Sequence, residues 1–430
     1  MTTLAAGQDH THHDAVGTQK QGRPTLWFMP LTFSLSYSHT VLHEGYSLFS
    51  PDYLPDYMFI DTISQPSLLL DERRCKANIH RLCQKARGQG VTLRPHFKTH
   101  QSKMIGRWFN DEGINQITVS SIGMAKYFAA AGWEDITVAF PVNIRQVEEI
   151  KELASEVNLG LLVLDTSSID FLGTNLQVPL SIWIKIDVGT HRTGIRPEEI
   201  SVLAAMAERI SKYPNLNFVG FLAHAGHTYQ SRSMTEVQQI YNHSLAALVE
   251  LREAFADRFP DLLISLGDTP GASMVEQFGP VDELRPGNFV FYDLMQEEIG
   301  ACTLDDIAVA MACPVVAVHP DRMQWIIYGG AIHFSKDYLT MDGGRKCFGR
   351  MVDVRIGSWS AENTMQNPYL ISLSQEHGIV QCNERNFHLC KPGDLSLWLP
   401  VHSCLTADVM GEYYTTDGQH VDHYRQRVRR

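Results

Sequence analysis

Apolar runs alternate with helix-like stretches along the chain from residue 67 onward. The segment SLLLDERRCKANIHRLCQKARGQG begins as an apolar run and continues as an amphipathic helix that places Ile79, Leu82 and Cys83 on one face and ends at Gly88 and Gly90. Eight further apolar runs follow it: TLRPHFKT (92–99), QITVSS (116–121), DITVAF (135–140), GLLVLD (160–165), LSIWIKID (180–187), FVGFLAHAG (218–226), LLISLGDTP (262–270) and ELRPGNFVFYD (283–293). Several are almost unbroken β-branched and aliphatic segments, which is typical of strands buried on both faces.

Helix-like segments link most of these runs. MAKYFAAAG, VEEIKELASEV, PEEISVLAAMAERISKY and QQIYNHSLAALVELREAFADRF follow the second, third, fifth and sixth runs, whereas the pattern for a helix after the fourth is weak. Eight strands with helical crossovers predict an α/β fold, a (β/α)8 TIM barrel over residues 59–305. A doubly wound sheet is the alternative.

The texture of the sequence changes after about residue 305. MACPVVAVHPDRMQWIIYGG, MVDVRIGSWS, PYLISLSQEHGIVQC and GDLSLWLPVHSC resemble strands joined by short Gly, Pro and Asn turns. We therefore predict a C-terminal all-β domain over residues 306–430. Residues 1–58 begin as a polar stretch with His10, His12 and His13 at no regular period, and we interpret them as a partly disordered N-terminal extension rather than a metal site.

Composition excludes several classes of partner. The 430 residues carry a net charge of −12 and no long Lys/Arg cluster, which disfavours nucleic acid and anionic membranes. No apolar run reaches about 18 residues, the length of a spanning helix. The eight cysteines are irregularly spaced and the N-terminus does not resemble a secretory signal. These features indicate a cytoplasmic protein with reduced thiols.

Polar residues accumulate where the predicted strands end. In a barrel, the loops after the carboxyl ends of the strands carry the chemistry. The residues in these positions are His96, Lys98, His100, Ser120, Ser121, Asp187, Thr190, Arg192, His224, His227, Tyr229, Asp268, Thr269, Gly287, Asn288, Tyr292 and Asp293. We predict the functional site at this end of the barrel.

Lys98 stands between two histidines at a spacing of two residues. On a strand, His96, Lys98 and His100 would share one face. A lysine taken out of water beside these groups and Arg94 would be a nucleophile for carbonyls, whereas a surface lysine that extends to solvent is the alternative. SLGDTPG and RPGN after the last two strands supply the small residues and amides that hold a phosphate in barrels. Pyridoxal 5′-phosphate has both an aldehyde and a phosphate, so it fits both ends of this site.

Seven blocks together resemble a known family. RPHFKTHQ, KIDVGTHRTGI, HAGHTY, GDTPG, LRPGNFVFYDLMQ, QEHG and PVHSCLTADV are similar, in order, to blocks of the D-serine dehydratase / D-threonine aldolase family. Members of that family are alanine-racemase-like, fold type III pyridoxal-phosphate enzymes. The resemblance covers roughly residues 60–415 and leaves the N-terminal segment outside.

The resemblance implies roles for individual residues. Lys98 would form the Schiff base with the cofactor. Arg192 would lie beside the ring hydroxyl, Tyr229 would face the ring nitrogen, and His224 would lie near the ring. The remaining cofactor residues would surround the phosphate: Thr269, Gly287, Asn288 and Tyr292. A tyrosine at the ring nitrogen suits a reaction that needs only a transient carbanion at Cα.

PVHSC contains a candidate metal pair. His402 and Cys404 are two residues apart and would share a face on a strand, and an imidazole with a thiolate suits Zn²⁺. Alone this spacing is a weak signal, but the resemblance places it at the family's metal position, for Zn²⁺ or another divalent ion. The D-threonine aldolases typically have Asp as the second ligand, so Cys404 favours dehydration. Glu376 and His377 in QEHG match a block near the metal.

The predicted function is a pyridoxal-phosphate- and metal-dependent lyase that acts on D-β-hydroxy amino acids, for example D-serine to pyruvate and ammonia. Retro-aldol cleavage to glycine and an aldehyde, racemisation, and cofactor binding without catalysis are the alternatives. Tyr328, His333 and Lys336 in IIYGGAIHFSKD, together with Asp268, depart from the family pattern. The substrate could therefore differ from D-serine. By resemblance the enzyme would be a homodimer.

Overall fold

The computed structural model describes residues 59–362 and 366–424. The predicted N-terminal extension, residues 1–58, lies outside the described residues. Eight parallel strands form one sheet in the order β2-β9-β8-β7-β6-β5-β4-β3. These strands are β2 (Thr92–Leu93), β3 (Gln116–Val119), β4 (Asp135–Pro141), β5 (Asn158–Val163), β6 (Leu180–Ile186), β7 (Leu216–Ala223), β8 (Leu263–Leu266) and β9 (Glu283–Leu284). A parallel bridge between His96 and Thr118 joins β2 to β3 and nearly closes the barrel.

Helices cover the outside of this barrel. They are α1 (Glu72–Gly88), α2 (Lys103–Asp111), α3 (Ile122–Ala129), α4 (Val147–Ala154), α5 (Thr166–Asn175), α6 (Ile200–Ile210), α7 (Met234–Phe255), α8 (Thr269–Met274) and α9 (Leu294–Ile299). Serine and aspartate side chains cap several of these helices by accepting hydrogen bonds from backbone amides of the first turn, for example Ser121 at α3 and Asp165 at α5. The predicted TIM-like barrel is confirmed, and a helix is present after the fourth run, where the sequence pattern was weak.

The segment TLRPHFKT is not a continuous strand. Regular pairing ends at Leu93, and the chain turns over residues 97–101, where the amide of Gln101 donates to the carbonyl of Phe97 at 2.9 Å. Pro95 has no N–H to donate, which limits the ladder at this point. The prediction that His96, Lys98 and His100 share one strand face is therefore wrong, since Lys98 lies in what we call the Lys98 turn (residues 97–101).

A second, mainly antiparallel sheet follows the barrel. Its strands are β1 (Ser67–Leu70), β10 (Val309–His319), β11 (Gln324–Tyr328), β14 (Gly349–Arg355), β15 (Ser358–Ser360), β16 (Tyr369–Leu373), β17 (His377–Gln381), β18 (Leu395–Pro400), β19 (Tyr413–Thr415) and β20 (His420–Val421). The hairpin of β12 (Leu339–Met341) and β13 (Arg345–Cys347) stands apart, and α10 (Ala331–Phe334) and α11 (Ser403–Met410) complete this half. The predicted C-terminal β architecture is confirmed.

Strand β1 belongs to the second sheet although it precedes the barrel in sequence. It pairs antiparallel with β10 and parallel with β19. The chain therefore crosses from the second sheet into the barrel at Asp71. The domain boundaries at residues 58/59 and 305/306 stay predictions. Among the helices within the described ranges, none has the length and apolar character that crossing a bilayer requires.

A fully buried carboxylate joins the two halves. Asp293 caps α9 by accepting the amide of Gln296 at 3.0 Å. Its other oxygen accepts the side-chain amide of Asn288 at 2.6 Å, and the amide and hydroxyl of Ser403 at 2.9 and 3.1 Å. Asn288 follows a barrel strand and Ser403 begins α11, so one side chain fixes the barrel loop against the helix of the second half.

Replacing Asp293 should destabilise the protein strongly. In Asp293→Ala, buried donors of Asn288 and Ser403 would lose their acceptor, and each unpaired buried donor costs about 1–3 kcal/mol. We expect the free energy of unfolding, measured with urea, to fall by roughly 3 kcal/mol. Asp321→Ala removes a carboxylate with 69% side-chain exposure and is the control. Equal stability of the two variants would contradict this role.

Candidate active site

The Lys98 turn places an exposed lysine at the carboxyl end of the barrel. Its neighbour His96 accepts the amide of Lys98 at Nδ1, at 3.3 Å. Burial, with the charges of Lys98 and Arg285, lowers the pKa of His96 well below its usual value, so this imidazole is neutral. A neutral histidine beside the lysine can accept a hydrogen bond without adding a charge.

The cations around Lys98 differ from those expected. Arg94 forms ion pairs with Glu283 and Asp135, each at 2.5 Å, and is engaged by those carboxylates. His100 is 1% exposed and packs against Phe97, and burial lowers its pKa to about 3. The prediction that Arg94 and His100 crowd the amine is therefore wrong.

His402 and Cys404 lie at the start of α11, not on a strand. β18 ends at Pro400, His402 is the residue before the helix, and Cys404 lies in its first turn. The expected shared strand face is wrong, but the two side chains still meet through a hydrogen bond. We call them the His–Cys pair. The positive end of the helix dipole favours a thiolate in this position.

Cys404 differs chemically from the other cysteines. Its Sγ lies 3.2 Å from Thr99 Oγ1 and 3.4 Å from Asn288 Nδ2. Burial alone would raise the pKa of this thiol, but the hydrogen bond with His402 and the charges of His402 and Lys98 outweigh burial, so the pKa is lowered. Burial raises the pKa of each of the other seven thiols. Cys404 is the activated thiol of this chain.

Asp337 orients His402. Its carboxylate lies 2.6 Å from His402 Nδ1, which leaves the other ring nitrogen for Cys404. Burial alone would lower the pKa of His402, but Asp337 and Cys404 raise it to about 11. A carboxylate behind a histidine is the usual support of a metal-ligating imidazole. An imidazole held between two anions is where a divalent cation would replace a proton.

Glu376 belongs to the block that the resemblance places near the metal. That carboxylate accepts the side-chain amide of Gln375 at 2.7 Å, and its charge acts on His333. Asp337 lies in the segment that departs from the family pattern, and the sequence analysis missed its contact with His402.

Among residues 59–362 and 366–424, no group of three or more His, Cys, Asp or Glu side chains is arranged to hold a metal. A metal on the His–Cys pair would keep open positions for substrate or water.

A cavity of about 770 Å³ brings together three of the predicted site residues, whereas the residues predicted around the cofactor ring and phosphate are not part of its lining. Lys98 and the His–Cys pair all line it. Its remaining walls come from the end of the Lys98 turn, the start of α3 with the residues just before it, α11 and the last described residues: Gln101, Ser120, Ser121, Met124, Leu405, Asp408, Val409, Met410, Gly411, His423 and Tyr424. This cavity is the candidate substrate pocket.

The three residues predicted around a cofactor ring follow β6 and β7. His224 donates from Nδ1 to the carbonyl of Gly267, and burial lowers its pKa to about 3. Tyr229 lies 6.3 Å from His224 between ring centroids, and burial raises its pKa, so its hydroxyl stays protonated. Arg192 is exposed on the loop after β6, and its charge lowers the pKa of His224.

The residues predicted around a phosphate follow β8 and β9. Thr269 is fully buried, and its Oγ1 has no hydrogen-bond partner among the described residues. The amide of Thr269 points to Tyr229 Oη, at 3.5 Å. The hydroxyl oxygen of buried Tyr292 lies 3.0 Å from Ser273 Oγ, and burial raises the pKa of Tyr292 to about 12.

The contacts of Gly287, Asn288 and Asp268 show which groups in this region could bind a phosphate and which support the local structure. A Cβ on Gly287 would lie 2.9 Å from the carbonyl oxygen of His96, so glycine is needed for the approach to the Lys98 turn. Asn288 uses its side-chain amide on Asp293, and a phosphate contact would come from its backbone. The carboxylate of Asp268 is directed away from the predicted phosphate position. It accepts hydrogen bonds from Thr228 Oγ1 at 2.9 Å and from the amide of Gly271 at 2.6 Å.

The residues present fit pyridoxal phosphate and a divalent metal. The orphaned, buried hydroxyl of Thr269 at the start of α8 suits a phosphate oxygen, and the exposed amine of Lys98 suits an aldehyde. The thiol and imidazole of the His–Cys pair are ligands that Zn²⁺ prefers. A soft and a borderline donor held by a carboxylate match that ion better than Mg²⁺ or Ca²⁺.

A nearly closed parallel barrel followed by an antiparallel β-domain is the architecture of the alanine-racemase-like class of enzymes. The chain belongs to the alanine racemase N-terminal domain family, whose model matches residues 70–294. Residues 308–416 match a putative serine dehydratase domain.

Several named proteins are similar to this chain. D-serine dehydratase of Dictyostelium discoideum is 26% identical over 399 residues, 85% of this chain and 97% of the relative. D-threo-3-hydroxyaspartate dehydratase of Delftia sp. strain HT23 is 29% identical over 328 residues, 74% and 84% of the two chains. Its solved structure has a TM-score of 0.78 at 26% identity and covers 85% of this chain and 99% of its own. 3-Hydroxy-D-aspartate aldolase of Paracoccus denitrificans is 27% identical over 240 residues, 54% and 61% of the two chains.

The lowered pKa of Cys404 predicts selective alkylation. In protein treated with a chelator, we expect iodoacetamide to modify Cys404 first, because it is the thiol with a lowered pKa and it lines the pocket. The rate should reach half its maximum at a pH below that of an ordinary thiol, and His402→Gln should move this midpoint upward. Mass spectrometry of peptides across a pH series measures both. Faster labelling of another cysteine, or an unchanged midpoint in His402→Gln, would contradict the electrostatic account.

Proposed function

We propose that this protein is a pyridoxal-phosphate- and divalent-metal-dependent lyase of D-β-hydroxy amino acids, with D-serine to pyruvate and ammonia as the representative reaction. The observation that carries the proposal is the shared cavity of Lys98 and the His–Cys pair. The names of the two dehydratase relatives, which each align over most of their length, support it.

The cofactor would be held by residues on five barrel loops. Lys98 would bind its aldehyde carbon, Thr269 and the backbone at Gly287 and Asn288 its phosphate, and Tyr229 its ring nitrogen. When bound there, pyridoxal phosphate supplies an electron sink for negative charge at the substrate Cα. Arg192, His224 and Tyr292 would complete the surroundings of the ring and phosphate. The protonated hydroxyl of Tyr229 would leave that sink weaker than a carboxylate partner would, which suits a transient carbanion.

The chain's own groups would handle the protons. The amine of Lys98, once released, would remove the proton at Cα. Burial lowers the pKa of His96 and of His224, so these neutral imidazoles would not take up this proton in place of Lys98. The pocket wall formed by α11 and α3 would shield the reacting carbons from bulk water.

The His–Cys pair would hold the metal, and Asp337 would fix the imidazole that binds it. A metal at this position supplies Lewis-acid stabilisation for a departing β-hydroxyl. A thiolate ligand favours Zn²⁺ over the harder ions that suit carboxylate ligands. The presence of Cys404 is the reason we favour dehydration over the retro-aldol reaction named for the Paracoccus relative.

Three further expectations accompany the proposal. The cofactor would belong to residues 59–305 and the metal pair to residues 306–430, although Asp293 and Asn288 contact both halves. The assembly would be a homodimer in the cytoplasm, as the resemblance and composition predict. The small molecule bound would be a D-amino acid, as the names of the relatives indicate.

Product identification tests this function directly. Purified protein with pyridoxal phosphate and Zn²⁺ is incubated with D-serine, D-threo-3-hydroxyaspartate and D-threonine, with and without EDTA. We expect a 2-oxo acid and ammonia, lost with the chelator and restored by Zn²⁺. Glycine and an aldehyde would make the protein an aldolase, and an L-amino acid product would make it a racemase.

Matched variants assign the chemistry to Lys98. Lys98→Ala should abolish turnover. In this variant, borohydride reduction should no longer attach the cofactor covalently to the protein. Lys151→Ala changes an exposed lysine on α4 outside the pocket and is the control. Full activity in Lys98→Ala would refute the proposed role of this residue.

A further inference from the structure

The turn that carries Lys98 ends at a strained residue. Gln101 has φ of +47°, a left-handed conformation that side chains other than glycine rarely adopt. Its backbone amide and its side-chain NH2 group are both engaged. The amide donates to the carbonyl of Phe97 at 2.9 Å, and the side-chain amide donates to the carbonyl of Lys98 at 3.2 Å and to Asp408 at 2.8 Å. Such strain persists only where the surroundings hold it.

Contacts with the last described residues help to keep Gln101 in this conformation. The carbonyl of Gln101 accepts the backbone amide of Tyr424 at 2.6 Å. Tyr424 also packs against Tyr127 at 5.4 Å between ring centroids, and its hydroxyl bonds to Ser121. Gly123 in α3 leaves no room for a Cβ beside this hydroxyl. The segment 422–424 therefore lies against both the Lys98 turn and α3.

Asp422 contacts the start of α2 through several hydrogen bonds. Its carboxylate accepts the hydroxyl of Ser102 at 3.0 Å and the amides of Lys103 and Met104 at 2.8 and 3.0 Å. The hydroxyl of Tyr127 also donates to it. The carboxylate thus caps the first turn of α2, the helix that follows the Lys98 turn directly, where the helix dipole favours a negative charge.

We propose that Asp422 is a positioning residue that fixes the Lys98 turn, and thereby the approach of the Lys98 amine to the His–Cys pair. Gln101 joins that turn to Asp408 on α11, the helix that carries Cys404. On the other side, Tyr424 bonds to the carbonyl of Gln101 at the end of the turn, and Asp422 holds residues 102–104, which follow the turn directly. The inference rests on the proposed role of Lys98 in the reaction.

The test compares three variants in the full chain. Asp422→Asn keeps one acceptor oxygen and replaces the other by an NH2 donor, so the pair of donors on that second oxygen loses its acceptor, either Lys103 with Tyr127 or Ser102 with Met104. Tyr127→Phe removes one of these donors with little change of shape. Asp165→Asn alters a helix cap at α5 that lies outside the pocket lining and is the control for a general loss of stability.

Positioning predicts a particular set of results. Asp422→Asn should lower kcat about ten- to a hundredfold, with a much smaller change in KM, because a small displacement of a reacting group costs rate more than binding. The same variant should show faster amide hydrogen exchange over residues 97–104 in the cofactor-free protein and a changed visible absorbance of the bound cofactor. Asp165→Asn should retain the wild-type values. Tyr127→Phe should have a smaller effect, and the double variant should be no worse than Asp422→Asn, since both changes break one network.

The outcomes separate this inference from the proposed function. If wild-type protein is labelled at Lys98 by pyridoxal phosphate and borohydride, but Asp422→Asn retains wild-type kcat and hydrogen exchange, the positioning role is refuted. If wild-type protein is not labelled at Lys98, the proposed function fails instead. Should Asp422→Asn not fold, Tyr127→Phe decides: a lowered kcat with unchanged thermal stability supports positioning, and an unchanged kcat refutes it.

Discussion

The buried carboxylate of Asp293 is the interaction on which the site depends. It accepts hydrogen bonds from a barrel loop through Asn288 and from the start of α11 through Ser403. Buried donors and acceptors must be satisfied, so these contacts leave little freedom in how the two halves meet. Together with the bond from Gln101 to Asp408 on α11, this joint fixes Lys98 relative to the His–Cys pair.

The electrostatics of the pocket follow from that placement. The hydrogen bond with His402 and the charges of His402 and Lys98 outweigh the burial of Cys404, which is why its thiol alone among the eight has a lowered pKa. The histidines that burial isolates from acids become neutral, whereas the one beside Asp337 keeps its proton. The same residue type thus serves two purposes, neutral scaffold around a ring and candidate ligand to a cation, according to what each one touches.

The sequence predicted the parts that depend on local pattern. Unbroken apolar runs marked the barrel strands, and Lys98 and the His–Cys pair were found because their spacing recurs in a recognisable order of motifs. What it could not show depends on contacts between distant residues. Asp337 is 65 positions from His402 and Asp293 is 110 positions from Ser403. The strand assigned to His96, Lys98 and His100 failed for a local reason, since the turn begins shortly after Pro95 and a period of two has meaning only in extended chain.

The central claim is that a metal on the His–Cys pair and a cofactor on Lys98 face one substrate pocket. Anomalous diffraction at the zinc edge, from crystals grown with pyridoxal phosphate and Zn²⁺, tests it most directly. The account predicts a peak about 2.3 Å from Cys404 Sγ and about 2.0–2.1 Å from a ring nitrogen of His402, with density continuous from Lys98 Nζ to the cofactor. A zinc peak elsewhere, or a cofactor attached to a different lysine, would contradict it.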